Sequence, residues 1–440
     1  MLRDEEADKA EVLSDSSDSE SDDNGSLSPC EAIVKARKTS ARKRLNRGPH
    51  EKEDDDDEDQ DAPPNHSLWA LFNLSFGEMR SDEKWTLKSG RAVEDIMFAY
   101  GVKLEEESLV HSWILDLSDT RLQGLFTREE WEEIRTHNMP KIPQIPKELA
   151  MHMVSYATVD VQVLREMVLR SWLDPDVEYD PAKHGVFQYI HVVYERLCTL
   201  YEQGTSPLEE HHLENWYNVN VWSVILDRCF EQLGAVVCIR GESCSIASSE
   251  RKNEKRTLGI RKKIGRRGDG IFRERNGKNE FGIIEAAKEF DGNTSTKWLK
   301  ESFKTPKVMH DMLVQLARAV KNDPSSVRQL RTVGWLHFGL YAQMLEMDCA
   351  NGRVCRLVRR KVHHVGQGMN PGEIAATLAL LTAVLQSRYI TEEVYNVIKK
   401  IPEDLNEESL LNIINKTGSS LESPKRKTLS LPPSTLTPKK

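Results

Sequence analysis

The stretch "GRRGDGIFRERNGKNEFGIIEAAKEF", residues 265–290, holds two apolar runs on either side of an Asn276-Gly277 step. Apolar runs flanking Asn-Gly are the strongest short-range signal for a β-hairpin. Asp269 opens the first run, Glu285 sits near the end of the second, and Lys288 follows it. Side chains alternate faces along a strand, so the turn decides whether the two acids meet. A two-residue Asn276-Gly277 loop sets Asp269 opposite Ile284 and turns Glu285 to the other side. A three-residue Arg275-Asn276-Gly277 loop, with Gly277 left-handed, sets Asp269 opposite Ile283 and makes Glu285 its diagonal neighbour. An equivalent bulge elsewhere would also bring the acids together.

The flanking sequence supplies the rest of a sheet. "PLEEHHLENWYNVNVWSVILDRCFEQL" reads as a long helix and "GAVVCIRG" as a short strand. After the hairpin, "TSTKWLKESFKTPKVMHDMLVQLARAV" reads as a helix interrupted or kinked near Pro306. "QLRTVGWLHFGLYAQMLEMDC" and "RVCRLVRRKVHHV" read as strands joined through "ANG". The last helix starts with Asn370 as N-cap, Pro371 at N1 and Glu373 at N3. The order α-β-β-β-α-β-β-α implies an α/β chain with a mixed sheet covered on both faces. Residues 67–205 read as mainly helical: "TREEWEEI" carries a capping box at Thr127 and Glu130, and "KIPQIPKEL" is a proline-marked linker. Support, interaction or a cover over the second half are the roles that fit.

An N-terminal helix, a three-strand meander, a crossover helix and a return strand resemble the restriction-endonuclease-like core of the PD-(D/E)XK nucleases. Gly268-Asp269 and Glu285 carry the resemblance. "RRGDGIF…EFGIIEAAK…TKWLKESFKTPKVMHDM" is also similar to a group of uncharacterised fungal proteins with this "GD…E" core. It covers about residues 206–370 and implies a Mg²⁺-dependent phosphodiesterase acting on DNA, with Asp269 and Glu285 as metal ligands. Hard carboxylate oxygens suit that ion, which offsets phosphoryl charge and activates water. The pattern places a lysine two residues after the glutamate, and here that position is Ala287. Lys288 is the catalytic candidate if a bulge re-aims it; Lys304 or Lys307 of the next helix are alternatives. The first helix offers Glu214 or Asp227 as a further acid. The competing reading is a plain hairpin whose acids pair with Arg266, Arg267 or Arg273.

Between Arg251 and Arg267 lie nine Lys/Arg and one acid, Glu254. Arg261, Lys262, Lys263, Arg266 and Arg267 are the phosphate-contact candidates. No aromatic residue is interleaved, so single-strand stacking is not indicated. The pairs His211-His212 and His363-His364 lack zinc-ligand spacing, and Gly366-Gln367-Gly368 lacks a phosphate-loop context.

Composition bounds the remainder. The chain has 440 residues and net charge −9. Residues 1–66 carry 20 Asp/Glu against 10 Lys/Arg, so the acidic balance belongs to that segment, which reads as a disordered tail. Residues 401–440 read as a short helix and then a Ser/Pro/Lys-rich disordered tail, beginning near 417. The seven scattered cysteines read as reduced thiols. "IAATLALLTAVL" (374–385) is too short to span a bilayer and reads as a buried helix. "KARKTSARKR" and "PKRK" read as nuclear import signals or solvated charge. Three classes stay open: a nuclease; a catalytically silent nucleic-acid- or protein-binding module; and an interaction protein using its helical region or tails.

Overall fold

A computed structural model describes residues 66–287, 296–400 and 428–435. The acidic tail, Lys288, both basic import-like clusters and residues 401–427 lie outside the described residues. Among the described residues, seven strands form one mixed sheet in the order β1-β7-β6-β5-β4-β3-β2. They are β1 (Ile114–Asp116), β2 (Val236–Cys244), β3 (Arg267–Glu274), β4 (Glu280–Ala287), β5 (Arg331–Phe338), β6 (Tyr341–Asn351) and β7 (Val354–His364). β2-β3-β4 is an antiparallel meander, and β5 returns parallel to β4.

The helices follow the apolar periods. α1 (His66–Gly77), α2 (Val93–Gly101), α3 (Arg128–Thr136), α4 (Lys147–Ser155), α5 (Val161–Leu169) and α6 (Pro181–Tyr201) precede the meander. α7, residues 214–231, is a continuous run whose middle, Asn218–Asp227, is π-helical. α8 (Ile246–Asn253), α9 (Thr296–Ala319) and α10 (Pro371–Lys399) complete the set. The expected caps are present at Thr127-Glu130 and at Asn370, whose Oδ1 accepts from the Gly372 and Glu373 N–H groups.

Two helical layers clamp the sheet. On one face, Phe230 of α7 stacks on Phe272 with centroids 3.9 Å apart, and Trp222 stacks on His337 at 4.2 Å. α10 lies beside α7 with Leu380, Leu381, Val384, Leu385 and Ile390 buried. It is longer than the apolar stretch alone indicated and passes for a membrane span by length and composition. More than half of that window, however, is buried in the protein. On the opposite face, Met309 of α9 fills the space over Gly334, and Thr332 Oγ1 donates to the Met309 carbonyl at 3.2 Å.

Three expectations change. The first strand expected after α9 is two, β5 and β6, because Gly339 takes a left-handed φ of 55° in a two-residue turn between Phe338 and Tyr341. α9 runs through Pro306. Residues 67–205 contribute β1, which pairs in parallel with β7, and their helices share the main apolar cluster with the sheet.

The C-terminal tail carries the larger correction. Residues 428–435 are ordered and packed along α9. Leu429 N–H donates to the Asn322 carbonyl at 2.8 Å, and Leu429 and Leu431 are buried. Ser434 Oγ meets His310 Nδ1 at 2.9 Å, and Thr435 N–H donates to Ser112 Oγ at 3.0 Å. Alternating leucines in an extended Pro-containing segment bury enough apolar area to hold it, despite its polar composition.

One buried ion pair ties the N-terminal region to the sheet edge. Arg356, fully buried on β7, grips Asp348 of β6 through Nε (3.0 Å) and Nη2 (2.6 Å). Its Nη1 donates to the Ile134 and His137 carbonyls at the end of α3. Arg356→Met leaves the Asp348 carboxylate buried without its cation. Urea unfolding is expected to show a loss of about 3–5 kcal/mol; a loss below about 1 kcal/mol, the range of an exposed pair, would contradict it.

Candidate nucleic-acid site

The hairpin tip keeps the two-residue register: Arg273 opposes Glu280. Asn276, not Gly277, is the left-handed residue, with φ 61°, a conformation asparagine tolerates. A Cβ at Gly277 would lie 2.4 Å from Glu274 Oε2, the end of a flexible side chain. Past the tip the register shifts. Phe272 opposes Gly282, so Phe281 is an extra residue in β4, and Gly270 opposes Ile284. The paired stretch ends at Gly270 and Ile284. The three-residue turn is therefore absent, and the bulge shifts the register of β4 by one residue. Glu285 shares with Ile283 the face that α9 covers, since Ile283 pairs with Gly334 under Met309. On β3 it is Gly268 whose Cβ would meet the Ile283 side chain, and Asp269 lies close enough to Arg240 to act on its charge.

Ala286 N–H donates to Asp269 Oδ2 at 2.6 Å, which fixes the Asp269 carboxylate on the strand edge. Asp269 is half-buried and Glu285 is 8% exposed. Arg266 Nε stands 3.7 Å from Glu285 Oε1, so a guanidinium lies beside that acid. This agrees with the plain-hairpin reading at Glu285. Arg273 departs from it by pairing with Glu280 at 2.6 Å. β4 pairs regularly with β5 from Gly282 to Ala287, and Lys288 lies outside the described residues.

The alternative cations and acids separate. Lys307 is buried against Glu107, and burial, only partly offset by Glu107, lowers its pKa. Lys304 lies about one turn earlier on α9 and is half-buried. Asp227 is held by Arg240, whose Nη2 reaches Oδ1 at 2.8 Å and whose Nε reaches Oδ2 at 3.0 Å. Burial disfavours the Arg240 cation, but Asp227, with Asp269 beyond it, holds its pKa above the usual arginine value. Glu214 is half-buried at the start of α7. His212 stacks on Trp216 at 3.7 Å, and His364 lies 3.4 Å from Glu373. Among the described residues, no group of three or more His, Cys, Asp or Glu could hold a metal ion.

The basic connection has more structure than its composition implies. Its first part is α8, and Arg251 pairs with Asp311 of α9 at 2.8 Å. Arg261, Lys262 and Arg267 are exposed; Lys263 and Arg266 are partly so.

Glu280, fully buried, anchors this segment, and the sequence reading missed it. It accepts from Arg273 Nη2 (2.6 Å), Ser245 Oγ (2.7 Å), and the Ile246 (2.9 Å) and Ala247 (3.0 Å) N–H groups. An anion at the first turn of α8 satisfies donors that no helical carbonyl reaches. The available signal was a glutamate facing an arginine across the hairpin. No family model, curated protein or solved structure matches the chain.

Glu280→Ala strands Arg273 and the α8 donors. Stability is expected to fall by about 3–5 kcal/mol, with faster tryptic cleavage within residues 251–267. Unchanged stability and cleavage would contradict the anchoring role.

Proposed function

We propose that the chain is a nuclease-like protein that acts on DNA as a phosphodiesterase, with Asp269 and Glu285 as the acidic pair. The observation that supports this reading is their nearness on adjacent strands, with Asp269 Oδ2 accepting from the N–H of Ala286 next to Glu285, at the end of a strongly basic segment. Their oxygen donors fit a hard divalent cation such as Mg²⁺. When bound, the ion would offset charge on the phosphoryl oxygens and activate water. Ala286 N–H orients Asp269. Arg261, Lys262, Lys263 and Arg267 hold the backbone as charge contacts. In this reading Lys288 supplies the ammonium that Ala287 cannot.

A second reading, a catalytically silent nucleic-acid-binding module, is favoured by Arg266 beside Glu285, where it offers the acid a protein cation. Incubation of the purified protein with supercoiled plasmid separates the two. Cleavage is expected with Mg²⁺, absent in chelator, and reduced on the order of 10²-fold in Asp269→Asn and Glu285→Gln. DNA retention without cleavage supports the second reading. Neither retention nor cleavage would overturn both.

Both readings require that the basic segment touch phosphate. The combined Arg261→Ala, Lys262→Ala and Lys263→Ala protein is expected to bind DNA more weakly. Its slope of log K against log salt should be shallower by roughly 0.9 for each phosphate that the variant leaves unneutralised. An unchanged slope would remove the segment from the interface.

A further inference from the structure

We propose that residues 254–262 form an apolar wedge ringed by cations, which enters a base step of duplex DNA next to the acidic pair. The inference rests on the nucleic-acid reading above and names the form of the substrate.

The loop is built. Its neck is closed by Asn253, whose Oδ1 accepts from Lys263 N–H (2.8 Å) and whose Nδ2 donates to the Lys263 carbonyl (2.7 Å). Ser249 Oγ donates to the same carbonyl at 3.0 Å. Within the loop, Arg256 Nε donates to the Ile260 carbonyl at 2.6 Å, and Gly259 turns the chain with φ 92°. These contacts hold Leu258 at the tip with a relative exposure of 104%, followed by Ile260 at 55% and Ile264 at 51%.

A single exposed leucine is ordinary, but Leu258 and Ile260 on a pinned loop, with Ile264 just past its neck, form a patch. Around it stand Lys255, Arg256, Arg261 and Lys262. The segment's acid, Glu254, pairs with Arg318 of α9. Such a tip fits a partner that is anionic outside and apolar within. A duplex has that order, phosphates at the rim and stacked bases inside, and leucine and isoleucine are among the side chains that wedge between base steps. An anionic bilayer has the same order. The duplex is favoured because the basic run continues from the loop to Arg266 and Arg267, two residues from Asp269. A backbone held along it reaches the acidic pair. The absence of aromatic residues between 251 and 267 removes the stacking platform that a single strand would use.

A mismatch lowers the cost of opening a base step, so wedging predicts a preference for mismatched over matched duplex. The test is fluorescence anisotropy of the full chain, in chelator, on duplexes of about 20 base pairs with and without one central mismatch. About tenfold tighter binding to the mismatched duplex is expected. Leu258→Ser should bring the ratio to about one while leaving the salt slope and thermal midpoint unchanged, since the residue is exposed and the net charge is kept. Arg261→Ala with Lys262→Ala should flatten the slope and keep the preference. If the unmodified protein binds duplex but shows no preference, or Leu258→Ser leaves the preference intact, the wedge is overturned and the nucleic-acid reading stands. If it binds no nucleic acid, both fall. Leu258-dependent binding to phosphatidylserine vesicles, with none to duplex, would overturn the wedge in favour of a membrane contact.

Discussion

One inserted residue, Phe281, governs which side chains the central hairpin presents to each helical layer. A strand has a side-chain period of two, so a one-residue change of register moves every following side chain to the opposite face. Continued without the bulge, the tip register would place Asp269 opposite Ile284. Glu285 would then point toward α7, among Trp222 and Phe230. With the bulge, Ile283 packs under α9, Ile284 packs on the α7 side, and Glu285 follows Ile283 to the α9 side. The same bulge brings Gly282 against β5, where a Cβ would lie 2.3 Å from the Val333 carbonyl. Any larger residue there would push β4 off its parallel neighbour.

The elements that hold this register also hold the basic segment. Glu280, at the tip side of the bulge, binds Arg273 across the hairpin and the first turn of α8. α8 is tied to α9 through Arg251 and Asp311, and α9 is covered by residues 428–435. The tail reaches Ser112 and so connects α9 to the N-terminal region, which adds β1 to the far edge of the sheet. The acidic pair therefore sits in a frame assembled from both halves of the chain and its tail. Its shape is not a property of the hairpin alone.

Much of this was legible in the residues, for definite reasons. Long apolar periods fixed the helices, and the caps at Thr127 and Asn370 marked two of their starts. The order α-β-β-β-α-β followed from alternating run types. The bulge was not legible, because Asn276-Gly277 specifies the tip register and nothing in "KNEFGII" announces an extra residue. Gly339 was overlooked because one glycine inside an apolar run carries no polar turn signal. The tail misled because its serines, prolines and lysines match a solvated chain, and the two leucines that bury it are too few to alter composition. Glu280 was hidden for a related reason: its partners on α8 lie some 35 residues away in sequence, and no local pattern records them.

The proposed chemistry requires that Asp269 and Glu285 share a face, and a cross-link reads that placement most directly. Asp269→Cys with Glu285→Cys is expected to form a disulfide under mild oxidation, detected as a linked peptide by mass spectrometry. Asp269→Cys with Ile284→Cys is expected to form none, because the proposed placement turns those side chains to opposite faces. A cross-link in the 269–284 pair and none in the 269–285 pair would contradict the bulged register and separate the two acids.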